Sequence, residues 1–245
     1  MREPDFTLWR RIPLHIGPDY DYLRRGVFKT MLYGIIYTAA AALLRIFNFV
    51  LFGTRLRGRK NLRGLRKQGL VVTCNHVHWL DCSMVGAFLW PRRAYFITLQ
   101  SNLELPVIRH LVRILGGIPI PRERRRMPEF HEAVLRALRE GAAVPIYPEG
   151  ELHPYADCLY PLKKTAFSLA YDAGVPVLPV CITYRRGKGF FRFKKRPCLT
   201  VHALKPIFPD RSRNRRDEVE ALCREVAAQM QLCMEESKKS PALPK

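Results

Sequence analysis

The 245-residue chain has no C-x-x-C pair: its seven cysteines, Cys74, Cys82, Cys158, Cys181, Cys198, Cys223 and Cys233, are scattered and odd in number. That speaks against a zinc site and against a disulfide framework. Several stand in apolar runs, where cysteine serves as a small hydrophobe, and a reducing, cytosol-facing environment is the economical expectation. Acidic residues are also scarce, 21 against 42 Lys and Arg, which leaves a net charge of +21. Such a surface attracts polyanions: nucleic acid, an anionic bilayer or an acidic protein. Residues 1–26 lack the pattern of a cleavable signal peptide, and the chain shows no internal repeat and no low-complexity linker.

What is present begins with an apolar stretch, Val27 to Gly53. Met31 to Leu44 carries no charge, and Arg45 and Asn48 then interrupt the apolar continuation. A spanning helix needs about 20 apolar residues, so this stretch is near the limit with an Arg inside it. Basic residues flank both ends, so charge gives no orientation. One or two helices lying in or dipping into the membrane interface are expected, with a span or a buried helix as alternatives.

From residue 69 the texture alternates between short apolar runs and helical stretches. Strands are predicted at 69–74, 94–98, 117–121, 143–147, 177–184 and 199–204, with helices at 81–89, 128–139 and 162–172. This alternation implies an α/β fold. Residues 185–197 (RRGKGFFRFKKRP) read as a basic, aromatic hairpin or loop. Val219, Cys223, Val226, Met230 and Cys233 fall at helical spacing within 217–236, as a C-terminal amphipathic helix docking on the core would require. The tail, 237–245, is expected to be disordered. The expected organisation is an N-terminal membrane-associating segment (1–53), a catalytic domain (54–212) and the C-terminal helix and tail (213–245).

The segment Asn75-His76-Val77-His78-Trp79-Leu80-Asp81 follows a buried strand directly. In an open α/β sheet the carboxyl ends of strands are where reactive groups collect. His76 and Asp81 are five residues apart, and on one helix they would point away from each other. They can meet only if His76 sits in the turn and Asp81 begins or precedes the helix. A carboxylate there would hold one imidazole nitrogen and leave the other as a base for a hydroxyl proton. His78, three residues from Asp81, is a rival.

Further motifs follow in order: Gly116-Gly117-Ile118-Pro119-Ile120-Pro121-Arg122, Tyr147-Pro148-Glu149-Gly150, Pro161-Leu162-Lys163-Lys164 and Val175-Pro176-Val177-Leu178-Pro179-Val180. Together with N-H-x-x-x-x-D this ordered set, over roughly residues 55 to 205, resembles the phospholipid and glycerol acyltransferase family, which includes bacterial 1-acylglycerol-3-phosphate acyltransferases. The resemblance implies a mixed, largely parallel sheet flanked by helices, with N-terminal membrane-docking helices. It implies that His76 deprotonates an acceptor hydroxyl and that Asp81 orients it. Arg122 would grip the acceptor phosphate, Glu149 and Gly150 would shape the acceptor site, and Lys163 or Lys164 would add positive charge. No metal and no bound organic cofactor is implied, since the acyl group arrives activated as a coenzyme A or acyl carrier protein thioester. The expected acceptor is a lysophospholipid, lysophosphatidic acid first, and the expected location is the cytoplasmic face of the cytoplasmic membrane, peripheral or monotopic, on an anionic surface. The family commonly continues E-G-T-R-S, where this chain has Glu149-Gly150-Glu151-Leu152-His153. That departure leaves another lysophospholipid or an amino-lipid open as acceptor.

Two other readings compete. A nucleic-acid-binding protein would use the positive charge and stack bases on Phe190, Phe191 and Phe193. It explains neither the apolar stretch nor the ordered motifs, so nucleic acid is not an expected partner. A catalytically dead membrane scaffold would not need the intact His76 and Asp81.

Overall fold

The computed structural model describes residues 12–23, 27–106 and 108–239. Helix α1 spans Val27–Phe52 as one continuous element. The strands are β1 (Arg55–Arg57), β2 (Leu70–Cys74), β3 (Phe96–Leu99), β4 (Gly117–Ile120), β5 (Ala143–Ile146), β6 (Val177–Arg185) and β7 (Cys198–Ala203). The remaining helices are α2 (Asp81–Leu89), α3 (Ile108–Ile114), α4 (Met127–Arg139), α5 (Thr165–Ala173) and α6 (Arg215–Lys239).

Five strands form one sheet in the order β1-β7-β6-β2-β5, and β3 and β4 pair beside it. Every pairing is parallel except β6 with β7. A parallel bridge from Ala94 to Ala143 joins the start of β3 to β5. The fold is therefore mixed, largely parallel α/β, as expected. Strand β2 is buried along its whole length because both faces are covered. Val71 belongs to the cluster under α4, α5 and α6, while Leu70, Val72 and Cys74 pack with Met84 and Phe88 of α2. Alternation with period two thus sorts one strand into two cores.

The parallel pairing sends the carboxyl ends of β2, β5 and β6 to one edge of the sheet. Arg122 follows β4, which runs parallel to β3, itself bridged in parallel to β5. Strand direction therefore delivers the segments that carry His76, Arg122 and Glu149 to one side of the molecule, whereas residues 175–180 form the opposite, starting end of β6.

Several boundaries differ from expectation. Helix α5 starts at Thr165 because the preceding loop is tied elsewhere: the Lys163 amide donates to the Pro148 carbonyl at 2.8 Å. Helix α6 runs on to Lys239, so Ser237–Lys239 are helical, whereas 240–245 lie outside the described residues. Its apolar side, Val219, Leu222, Val226 and Met230, joins the core beneath α5. Residues 12–23 lie in the expected membrane-associating segment, yet Leu14, Ile16, Tyr22 and Leu23 are buried in the main core. The Gln100 amide donates to the Leu14 carbonyl at 2.6 Å and holds this strap in place. Residues 1–11 and 24–26, the rest of the polar N-terminal stretch, lie outside the described residues.

Helix α1 packs on α2, with Tyr37, Ala41 and Asn48 buried; the Ser83 hydroxyl donates to the Asn48 side chain at 3.0 Å, and the Tyr37 hydroxyl to the Arg92 carbonyl just past α2 at 3.3 Å. Its other side exposes Ile35, Leu43, Ile46, Phe49, Val50 and Leu51. Residues Gly34–Phe52 are long and apolar enough to cross a membrane. A helix that kept this face for a soluble core would have it covered.

Candidate active site

His76 stands in the turn after β2, and Asp81 is the first residue of α2, the arrangement that lets two residues five apart meet. His76 Nδ1 lies 3.0 Å from Asp81 Oδ2. An ionised carboxylate only accepts, so Nδ1 is assigned the proton and Nε2 is the nitrogen left to take one. The same Asp81 oxygen accepts the backbone amides of Val77 at 2.8 Å and His78 at 2.9 Å. Asp81 has no solvent exposure, and those donors, together with the α2 N-terminus, compensate the burial of its charge. The carboxylate therefore shapes the turn as well as orienting the imidazole.

Asn75 anchors the turn to the sheet. Its side-chain amide donates to the Ile182 carbonyl at 3.0 Å and accepts the Ile182 amide at 2.8 Å, adding one rung between β2 and β6. From the far side, the His153 amide donates to the His76 carbonyl at 2.8 Å and the Tyr155 amide to the Val77 carbonyl at 3.0 Å. The His76 ring stacks on Tyr147, centroids 4.3 Å apart and 25° between planes. His78 turns elsewhere: its Nδ1 accepts the Leu80 amide at 3.1 Å and its ring meets Phe52 at 4.7 Å. Burial lowers the His78 pKa. Only His76 presents an imidazole to the carboxylate.

Glu149 follows β5 and accepts the His76 amide at 3.3 Å. Burial pushes its pKa up from 4.5 to about 7, against the lowering effect of the His76 and Tyr160 amides. Gly150 has φ +80°, a left-handed conformation, and a Cβ there would collide with the Lys163 side chain. Lys163 is thereby laid across the Glu149-Gly150 turn. Lys164 points the other way and pairs with Glu220 of α6 at 3.2 Å on the surface, so the two lysines separate.

Arg122 lies beyond β4 with its side chain 57% exposed and its guanidinium bonded twice to Glu104, at 2.9 Å each. Glu104 is buried, and the Arg122 amide donates to the Gln100 side chain at 3.0 Å. Of the anticipated residues, His76, Asp81, Glu149, Gly150 and Lys163 thus form one linked group. Arg122 sits on the neighbouring strand pair, and Lys164 is engaged with α6. Tyr147, Asn75 and Glu104 were not anticipated as site residues. Asn75 and Tyr147 are themselves members of the motifs, and that position could have flagged them. Among the described residues no group of three or more His, Cys, Asp or Glu could hold a metal ion.

An open, mostly parallel sheet whose paired-on-both-sides strand ends in a carboxylate-oriented imidazole has the layout of a group-transfer or hydrolytic catalyst. The family model described as Acyltransferase matches residues 53–183, more than half of the chain. The chain belongs to the acyltransferase family. It is 34% identical over 117 residues to a 1-acyl-sn-glycerol-3-phosphate acyltransferase of Neisseria gonorrhoeae, covering 47% of this chain and 44% of that protein. It is 32% identical over 164 residues to the human 1-acyl-sn-glycerol-3-phosphate acyltransferase beta, covering 64% of this chain and 57% of that one. The chain thus spans about half the length of these curated relatives. The crystal structure of a 1-acyl-sn-glycerophosphate acyltransferase from Thermotoga maritima superposes with a TM-score of 0.61 at 20% identity, covering 91% of this chain and 87% of that one. It shares the fold.

Proposed function

We propose that the protein transfers a fatty acyl group from a coenzyme A or acyl carrier protein thioester to the free hydroxyl of 1-acyl-sn-glycerol-3-phosphate, giving phosphatidic acid. The observation that carries this reading is the imidazole held by buried Asp81, inside the span that matches the acyltransferase family. His76 Nε2 accepts the hydroxyl proton as the oxygen attacks the thioester carbonyl. The C–O bond forms, the C–S bond breaks, and the imidazolium returns its proton to the departing thiolate. Asp81 keeps Nδ1 protonated and stabilises the imidazolium, as in triad chemistry without a protein nucleophile. Arg122 and Lys163 supply positive charge for the acceptor headgroup, and Glu149 and Gly150 shape the turn that borders it. The exposed face of α1 lies on an anionic membrane, where acceptor and product reside.

One observation favours a second acceptor class. Both Nη atoms of Arg122 are engaged by Glu104, and Glu151-Leu152 stand where the family commonly has Thr-Arg. A lysolipid without a phosphomonoester suits a site with less free positive charge. Transfer of a radiolabelled acyl group to a panel of lysolipids tests both readings. Product from lysophosphatidate alone supports the first, product from a lysophospholipid or amino-lipid instead supports the second, and no product from any thioester overturns acyl transfer.

A further inference from the structure

Strand β6 runs parallel to β2 and ends at Arg185, so the connection to antiparallel β7 leaves the same edge of the sheet as His76. This connection, residues 186–197, holds Arg186, Lys188, Arg192, Lys194, Lys195 and Arg196, three phenylalanines and no acid.

The loop is built rather than loose. Gly187 approaches the Phe191 carbonyl so closely that no Cβ would fit, and Gly189–Phe191 closes a 3-10 turn. The Phe191 ring packs edge-on against Phe49 of α1, with centroids 5.4 Å apart. The Arg185 guanidinium donates to the Gly53 carbonyl at the end of α1. With Phe191 tucked under, its neighbours are left outside: Phe190 is 87% exposed and Phe193 81%. Single exposed apolar residues are ordinary, but these continue the exposed face of α1 through Phe49 and Val50. Trp79, in the same turn as His76, is exposed as well.

We infer that residues 186–197 form a second membrane anchor, which sets Phe190 and Phe193 among the headgroups of an anionic leaflet while the surrounding cations meet lipid phosphates. Continuity with α1 makes the two anchors one surface. Charge selects an anionic leaflet, and two bare rings find a place to bury in a bilayer that an acidic soluble protein does not offer. Because the loop and His76 share one sheet edge, this anchor turns the site toward the lipid. Membrane binding by this loop follows from its geometry and composition, and only the effect on activity rests on the acyl-transfer reading.

The test uses the full chain with vesicles of phosphatidylglycerol and phosphatidylcholine, some with brominated acyl chains. The Phe190→Trp variant is expected to show added fluorescence that brominated lipid quenches, relative to the parent protein. In co-sedimentation, Phe190→Ser with Phe193→Ser should lower partitioning about tenfold or more. Replacing Arg192 and Lys195 by Ser should lower it roughly fivefold per charge, on anionic vesicles only and at low salt. Acyl transfer to vesicle-embedded acceptor should fall in parallel, with transfer to detergent-dispersed acceptor unchanged. An unquenched tryptophan in the Phe190→Trp variant together with unchanged partitioning overturns the inference, as does loss of binding to an acidic acyl carrier protein in place of vesicles. An inactive parent protein counts against acyl transfer and leaves the quenching and partition results to decide the anchor.

Discussion

At one corner of the candidate site a fully buried carboxylate reaches an imidazole five residues away, and it also takes two amides of the intervening turn. At the other, a half-exposed guanidinium is held by a carboxylate 18 residues distant, across β3 and β4. The first corner is over-determined: removing any one bond leaves the turn pinned by Asn75, His153 and Tyr155. The second rests on a bidentate ion pair and one backbone bond to Gln100, on a separate strand pair. In physical terms the first corner suits a proton transfer that tolerates little misplacement, and the second suits recognition, where the geometry can differ with the ligand.

The largest expected effect breaks the rigid corner. The His76→Ala variant should lose roughly 10²–10⁴-fold in turnover while its circular dichroism and melting stay near the parent's, because the turn is held by backbone and Asp81 bonds that survive. Retained turnover would show that the imidazole is not the base. Next comes Glu149, whose folded pKa of about 7 lies above its ordinary 4.5. The folded state then binds the proton more tightly than the unfolded chain between those values. This contribution is fully present below pH 4.5 and is lost as pH rises toward 7. Denaturation of the parent should therefore lose stability across that window more steeply than the Glu149→Gln variant; equal slopes would place the carboxyl in a solvated setting.

At the second corner, Arg122→Ala should raise the acceptor KM, and far less the donor KM, with a loss of about 1.5–3 kcal/mol in kcat/KM for the acceptor if it carries a phosphomonoester. Equal effects on both substrates would assign the guanidinium to the ion pair with Glu104 alone. The smallest effect is expected at His78, whose ring faces Phe52 and its own turn. His78→Ala should change turnover little, and a loss matching that of His76→Ala would invert the assignment.

The same contrast separates what the sequence discloses from what it does not. Strand β2, helix α2 and the pairing of His76 with Asp81 are legible because they rest on local periodicity and a turn of few residues. Strand β1 is missed because only Leu56 of its three residues faces inward, and α3 because seven mostly basic and aliphatic residues show no clear stripe. The Arg122–Glu104 pair depends on the parallel register of β3 and β4, which no local pattern encodes. The stack of Tyr147 on His76 likewise needs β5 to lie beside β2. Residues 12–23 fall in the segment expected to associate with the membrane, yet Leu14, Ile16, Tyr22 and Leu23 are core, which their irregular spacing does not disclose.

Asn75 carries a consequence for how the molecule breathes. Its amide occupies the place of a peptide unit in the ladder between β2 and β6, so the loop behind it is not an independently opening segment. For the His76 turn to come apart, the two Asn75 bonds to Ile182 and the amide bonds to Asp81 must break together. Amide exchange at Val77 and His78 should then follow the slowest, globally protected class rather than the fast class typical of loops. A catalytic loop would thus share the unfolding free energy of the sheet.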